Sequence, residues 1–116
     1  MKHLAIAFSF IPEQDSPEIL DIGCGTGVPT IWMAENIGGR ITAVDSDKDA
    51  IEWLSRKILI SHLEDRIAPL NISFFDFKSD PNHYDIILAE GFLNVTGFEN
   101  GFTKITGMLK NGGYFI

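Results

Sequence analysis

The sequence has one cysteine, few basic residues and no long apolar run. Because Cys24 is alone, no disulfide can form within the chain, and we expect a reducing cytoplasm as its compartment. Nine basic residues against sixteen acidic ones give a formal net charge of -7, which opposes docking on nucleic acid or anionic lipid. No apolar stretch approaches the roughly 20 residues of a membrane span, so we expect no membrane partner.

The first eleven residues combine a basic residue with mostly apolar positions, as a secretion signal does. The apolar residues Leu4, Ala7, Phe8 and Ile11 nevertheless recur at the spacing of one helical face. The following segment offers no small-residue cleavage site. This pattern predicts an amphipathic helix.

The rest of the chain alternates short apolar runs with helical patterns. We predict helices after residue 28, after a possible capping box formed by Ser46 and Asp49, and from Phe98 to a stop at Asn111. The predicted strands are residues 18–22, 41–44, 72–75, 85–89 and 114 onward. Such alternation with short loops indicates an α/β domain over residues 1–116, with a parallel sheet in the doubly wound order 3-2-1-4-5.

A glycine-rich loop directly follows the first predicted strand. Gly23, Gly25 and Gly27 lack Cβ atoms and permit a tight turn with the backbone close to a ligand. A dinucleotide-binding loop needs its third glycine at position 28, where Val28 stands, so an NAD-dependent oxidoreductase is the weaker alternative. Asp45 ends the second predicted strand, at the place where such folds bind ribose hydroxyls, and therefore favours a nucleoside ligand.

The run ILDIGCGTG, residues 19–27, closely resembles the first signature motif of class I S-adenosylmethionine-dependent methyltransferases. The segments FDF at 75–77, DIILAE at 85–90 and LKNGG at 109–113 resemble the later motifs of that family. The likeness covers about residues 4–116 and is closest to small-molecule methyltransferases of the ubiquinone/menaquinone-biosynthesis type. It implies a Rossmann-like three-layer sandwich, with S-adenosylmethionine as cofactor and S-adenosylhomocysteine as product.

The same resemblance implies a set of cofactor-binding residues. In it, Asp21 orients the loop and the amino-acid end of the cofactor, Asp45 accepts hydrogen bonds from both ribose hydroxyls, and Asp76 meets the adenine amino group. An acid-rich pocket suits the net positive charge of S-adenosylmethionine. The implied residues are Asp21, Gly23, Cys24, Gly25, Thr26, Gly27, Asp45, Ser46, Asp76, Phe77 and Glu90.

Methyl transfer from an activated sulfonium needs no enzyme nucleophile, because alignment and desolvation can supply much of the acceleration. We therefore assign no catalytic residue, although Glu90 and His83 stand near the expected site in the sequence and are candidates for proton transfer. Cys24 lacks a histidine partner and reads as a small loop residue. His3 and His62 lack a second ligand at metal spacing, so we expect no metal.

We interpret the sequence as that of an enzyme that methylates an unidentified small molecule. The alternative is a non-catalytic cofactor-binding module. Members of the family usually continue past the fifth strand with a helix and an antiparallel hairpin, and this sequence has neither. We therefore expect a truncated core that lacks the last two strands and binds cofactor but methylates slowly. Its fifth strand is then an edge through which the chain could self-associate.

Overall fold

The fold is a five-stranded parallel sheet in the order β3-β2-β1-β4-β5, in a computed structural model that describes residues 2–90 and 98–116, the last with backbone only at 98–100. The strands are β1 Glu18–Ile22, β2 Arg40–Asp45, β3 Ile67–Asn71, β4 Tyr84–Leu88 and β5 Leu109–Phe115. The helices are α1 Lys2–Ser9, α2 Val28–Asn36, α3 Lys48–Ile60 and α4 Phe98–Met108. The predicted strand order is confirmed. The sequence also predicts a glycine-punctuated connection at residues 91–97, and this segment lies outside the described residues.

The two faces of the sheet carry separate apolar clusters. Successive strand residues point to opposite faces, so Ile19 packs with α1, α2 and α3 while Leu20 packs with α4 and the turn at residues 73–77. On the first face, Leu4 and Phe8 of α1 are buried, which confirms the predicted amphipathic helix. Of the helices that the structure describes, none combines the length and the apolar character needed to cross a membrane.

The start of α3 differs by one residue from the predicted capping box. Asp47 is the N-cap, and its side chain accepts hydrogen bonds from the backbone N–H groups of Asp49 (3.0 Å) and Ala50 (3.2 Å). Ser46 is exposed, and no hydrogen bond links it to Asp49. The cap shifts because the N–H of Asp47 donates to the Asp45 carboxylate, which ends β2 immediately before the helix.

The third strand is β3, Ile67–Asn71, and the prediction of a strand at 72–75 is wrong. Residues 73–77 form a turn in which the Ser73 carbonyl accepts hydrogen bonds from the N–H groups of Asp76 and Phe77, both at 3.0 Å. Phe74 and Phe77 of that run pack in the core of the second face, although the composition of the run is typical of a strand. Proline is unfavourable in most strands, so Pro69 argued against a strand in this segment. The sheet tolerates Pro69 because β3 is an edge strand.

The helix α4 ends at Met108, so the predicted stop at Asn111 and the predicted strand start at Tyr114 are both wrong. Leu109 already pairs with Tyr84 of β4, and the register then shifts before Tyr114 pairs with Ile86. The glycine pair at 112–113 lies within this irregularity, and Gly112 has a left-handed φ of 83°. A bulge in a strand therefore accounts for the glycines that the sequence pattern assigned to a helix end.

Candidate cofactor-binding site

The glycine loop lies at the carboxyl end of β1, between the carboxyl ends of β2 and β4, where the strand order reverses. Gly23, Gly25 and Gly27 have φ values of 68°, 58° and 87°, in the left-handed region that favours glycine. A Cβ placed on Gly25 would meet no atom within 4 Å, whereas one placed on Gly27 would collide with the side chain of Leu54. The loop therefore packs against α3 on one side and faces open space on the other.

Asp45 faces this loop from the end of β2. Its Oδ2 accepts a hydrogen bond from the N–H of Gly25 (2.8 Å), and its Oδ1 accepts one from the N–H of Asp47 (2.8 Å). A carboxylate offers about four acceptor positions, so two such bonds leave capacity for hydroxyl donors. The arrangement fixes an anionic acceptor beside the open side of the glycine loop.

Asp21 lies beneath the loop with only 2% of its surface exposed. The pKa of its carboxyl is raised to about 7, chiefly by burial and to a smaller extent by the charges of Glu90 and Asp45, although a 2.6 Å hydrogen bond from the Thr30 hydroxyl opposes the rise. The charge of Asp21 is therefore poised near neutral pH, so that a cation bound nearby would favour its ionised form. Sequence reasoning missed Thr30, whose signal is a hydroxyl residue in the first turn of the helix after the loop.

Cys24 is a structural part of the loop. It is buried, and its N–H donates to the carbonyl of Val44 at 3.1 Å. Burial raises the pKa of its thiol to about 12, and the charges of Asp21 and Asp45 act in the same direction. The thiol therefore stays protonated and is a poor nucleophile, while its neighbour Thr26 is exposed at the tip of the loop.

Glu90, just past β4, contacts the N-terminal helix. Its Oε1 lies 2.6 Å from Nε2 of His3, and both side chains are substantially exposed. The next residue, Leu4, is buried in the core and anchors this end of the helix. Sequence reasoning missed this pair, since nothing local links residues 87 positions apart.

His83 lies at the other end of the sheet. It precedes β4, and its Nε2 is 3.9 Å from Oε2 of Glu18, the first residue of β1. The length of β4 separates it from Glu90, which follows that strand. This position excludes His83 from direct proton transfer at the glycine loop.

The turn after β3 gives the two residues predicted near the adenine different surroundings. Phe77 is buried and packs in the core of the second face, whereas Asp76 is exposed. The residues that directly follow β3 are Ile72 and Ser73, and the N–H of Ile72 donates to the Asp45 carbonyl at 3.0 Å. The strand β3 ends earlier than predicted, and Ser73 follows its end more closely along the chain than Asp76 does.

A family described as a methyltransferase domain matches residues 19–113. The chain therefore belongs to the class I S-adenosylmethionine-dependent methyltransferases, and S-adenosylmethionine is the cofactor of that family. In residues 2–90 and 98–116, no group of three His, Cys, Asp or Glu side chains is placed to hold a metal ion.

The curated relatives differ in what their names say they methylate. A ribosomal protein L11 methyltransferase of Ruminiclostridium cellulolyticum is 32% identical over 82 residues, 71% of this chain and 26% of the relative. A tRNA1(Val) (adenine(37)-N6)-methyltransferase of Phocaeicola vulgatus is 47% identical over 71 residues, 61% of this chain and 30% of the relative. An (S)-coclaurine N-methyltransferase of Thalictrum flavum is 33% identical over 109 residues, 89% of this chain and 29% of the relative.

Solved structures share the fold. A geranyl diphosphate C-methyltransferase of Streptomyces coelicolor, solved with S-adenosylhomocysteine, superposes with a TM-score of 0.87 at 17% identity, covering 97% of this chain and 43% of that one. The YcgJ protein of Bacillus subtilis superposes with a TM-score of 0.87 at 18% identity, covering 99% of this chain and 49% of that one. The chain thus spans less than half the length of these structures and at most about a third of the three curated relatives.

Proposed function

We propose that this chain binds S-adenosylmethionine in the crevice at the carboxyl ends of β1, β2 and β4, and that it supports methyl transfer to a small-molecule acceptor. The observation that carries the proposal is the hydrogen bond from the Gly25 N–H to the Asp45 carboxylate, beside space that a Cβ on Gly25 would fill. A glycine backbone beside a fixed carboxylate leaves room for a ribose and for the amino-acid portion of the cofactor attached to it. The buried Asp21 adds the acidic character that a cationic cofactor needs.

The proposed roles follow from these positions. Asp45 accepts hydrogen bonds from the ribose hydroxyls, the backbone of residues 23–27 lies along the cofactor, and Asp21 interacts with its amino-acid end. Ser73 and Asp76 share the turn that faces the base, with Ser73 nearer to Asp45 along the chain. When bound, S-adenosylmethionine supplies a methyl group activated by its sulfonium, so the residues of the chain need only orient the reactants and exclude water.

A small-molecule acceptor is supported by the charge of the chain. The formal net charge of -7 opposes association with tRNA, although one relative bears the name of a tRNA methyltransferase. A relative that matches 89% of this chain is named for the acceptor (S)-coclaurine. The absence of a nucleic-acid partner, the cytoplasmic location and self-association through β5 stay predictions.

Asp45→Asn tests the proposed ribose contact. Asparagine can still accept from Gly25, but its amide nitrogen cannot accept from Asp47 or from a hydroxyl donor. Hydrogen bonds to a charged group contribute about 1.5–3 kcal/mol, so we expect the affinity for S-adenosylhomocysteine to fall about 10- to 100-fold in calorimetry. Asp65→Asn is the matched control, since it removes the same charge from an exposed carboxylate before β3. Equal losses in both variants would contradict a ribose contact.

Glu90→Gln tests whether the crevice responds to the charge of the ligand. S-adenosylmethionine carries a sulfonium that S-adenosylhomocysteine lacks, and Glu90 is close enough to Asp21 to raise its pKa. A partly exposed charge contributes about 0.2–1 kcal/mol, so we expect affinity for the sulfonium ligand to fall about two- to fivefold further than affinity for the product. Glu64→Gln, an exposed residue before β3, serves as the control, and an unchanged ratio in Glu90→Gln would remove Glu90 from the cofactor site.

Calorimetry on the 116-residue chain also separates the proposed function from its alternatives. Binding of NADH without binding of S-adenosylhomocysteine would favour the oxidoreductase and refute the proposal. Binding of the cofactor with no methyl transfer to a metabolite mixture would favour the non-catalytic module. We expect cofactor binding with slow transfer of a labelled methyl group, and robust turnover would contradict the expected slow rate.

A further inference from the structure

Lys104 of α4 holds the turn that follows β3. Its Nζ donates hydrogen bonds to the carbonyls of Phe74 (2.7 Å) and Phe75 (3.1 Å), and it lies 4.9 Å from the centroid of the Phe74 ring. Hydrogen bonds from an ammonium group are about twice as strong as those between neutral groups. One side chain therefore ties two consecutive carbonyls of the turn to a separate helix.

The same turn is joined to the carboxylate-bearing end of β2. The Asp45 carbonyl accepts hydrogen bonds from the N–H of Ile72 (3.0 Å) and from the side-chain nitrogen of Asn71 (3.1 Å). Within the turn, the N–H of Phe75 donates to the Ser73 hydroxyl at 3.3 Å. The turn is thus held at the β2 side by one backbone and one side-chain hydrogen bond from the two residues directly before it, and at the α4 side by Lys104.

The turn presents exposed groups despite this anchoring. Phe75 is 47% exposed and Asp76 is exposed, whereas Phe74 and Phe77 on either side are buried in the second-face core. A shift of the turn would move all four side chains together, since they are consecutive residues of one short segment. The hydrogen bond from the N–H of Ile72 to the Asp45 carbonyl places the start of this segment beside the end of β2.

We propose that Lys104 is a positioning residue for cofactor binding, which holds the turn at residues 73–77 so that its exposed atoms receive the base of the nucleoside. This inference rests on the proposed function, because it assumes a nucleoside whose ribose lies at Asp45. Lys104 acts through the carbonyls of Phe74 and Phe75 and does not itself contact the ligand.

The electrostatic surroundings of Lys104 agree with this role. Partial burial lowers the pKa of its ammonium group, a nearby Lys78 lowers it further, and Asp76 in the same turn opposes the change. The two carbonyls supply the hydrogen bonds that replace lost water. Lys104→Met keeps the apolar stem over the Phe74 ring and removes only the donors.

The test compares two probes, S-adenosylhomocysteine and adenosine, on the full 116-residue chain. Both carry the base, so we expect Lys104→Met to lower the affinity for each by the same factor, about tenfold, in calorimetry or NMR titration. Lys104→Arg keeps donors on a long stem and should restore both affinities to within about threefold. Asp21→Asn should weaken only S-adenosylhomocysteine, because adenosine lacks the amino-acid end.

Lys110→Met is the charge-matched control, since Lys110 pairs with Asp85 near the amino end of β4. Hydrogen exchange gives a second readout, because a loosened turn should speed exchange at the N–H groups of Asp76 and Phe77, which are bonded to Ser73. If Lys104→Met fails to fold, Lys104→Gln, whose shorter side chain cannot span both carbonyls, replaces it.

The possible results separate the two hypotheses. If the unaltered chain binds neither probe, the proposed function fails. If it binds both and Lys104→Met binds them equally well, or loses no more than Lys110→Met does, the positioning role is overturned. A loss confined to S-adenosylhomocysteine would also overturn it, because the effect would then lie away from the base.

Discussion

Asp21→Asn is expected to stabilise the fold at pH 8 and at the same time to weaken cofactor binding. In the folded chain burial raises the pKa of this carboxyl to about 7, from an ordinary value of 3.8. The folded state therefore holds a proton that the unfolded state releases, and stability falls as pH rises from about 4 to 7. Above pH 7 the full penalty is present, about 4 kcal/mol from the difference between the two pKa values.

Asparagine removes this penalty and can still accept the hydrogen bond from Thr30. The side-chain amide of asparagine introduces a buried donor without a partner, which costs about 1–2 kcal/mol of stability. We therefore expect a net gain of about 2 kcal/mol in the free energy of unfolding at pH 8. Urea unfolding from pH 3.5 to pH 8.5 measures the effect. Relative to the unaltered chain, the stability of the variant should improve steadily up to pH 7 and then stay level.

Thr30→Val is the companion variant. It removes the hydrogen bond that favours the ionised carboxylate, so the pKa of Asp21 should rise further and stability at pH 8 should drop. Cofactor affinity distinguishes stability from function, because Asp21→Asn should bind S-adenosylmethionine at least tenfold more weakly although it is more stable. A stability difference that does not vary with pH would show that Asp21 has the same pKa in the folded and the unfolded chain, and that burial does not raise it.

Gly27→Ala is expected to lose mainly stability and Gly25→Ala mainly ligand affinity, although both glycines lie in one loop with positive φ. The left-handed conformation costs an alanine about 1–2 kcal/mol at either position. At Gly27 the added methyl also collides with the side chain of Leu54, which is fully buried, and such overpacking costs about 1–3 kcal/mol more. We therefore expect Gly27→Ala to lose about 3 kcal/mol in the free energy of unfolding.

At Gly25 the methyl group meets no atom within 4 Å, so the loss of stability should stay near 1–2 kcal/mol. It enters the open side of the loop instead, and we expect the affinity for S-adenosylhomocysteine to drop at least tenfold. Gly38→Ala is the matched control, because Gly38 has a φ of 87°, nothing within 4 Å of its Cβ, and a position at the end of α2 away from the loop. It should lose similar stability and keep full affinity.

Urea unfolding and calorimetry on the three variants measure both properties. A double-mutant cycle with Leu54→Ala adds a direct check, since removing the colliding side chain should make the combined loss smaller than the sum of the two single losses. Additive losses would mean that Gly27 does not meet Leu54. Unchanged affinity in Gly25→Ala would place the ligand elsewhere.

The sequence by itself determined the order of the elements along the chain and the place of the candidate site. Apolar periodicity located α1, and a short apolar run located β1. The glycines of residues 23–27 together with Asp45 indicated the crevice. These signals could be recognised because each lies within one element or loop. The family likeness followed from the same local run. Strand order also followed, since short right-handed crossovers leave few alternatives.

The tertiary structure decided where elements begin and which distant side chains meet. Pro69 and the aromatic run at 73–77 gave the wrong local signal for β3, because core packing overrode strand propensity there. The pair of His3 with Glu90 and the contact of Lys104 with the turn after β3 join residues far apart in the chain. Such contacts depend on how helices pack across the sheet, and no local pattern records that packing.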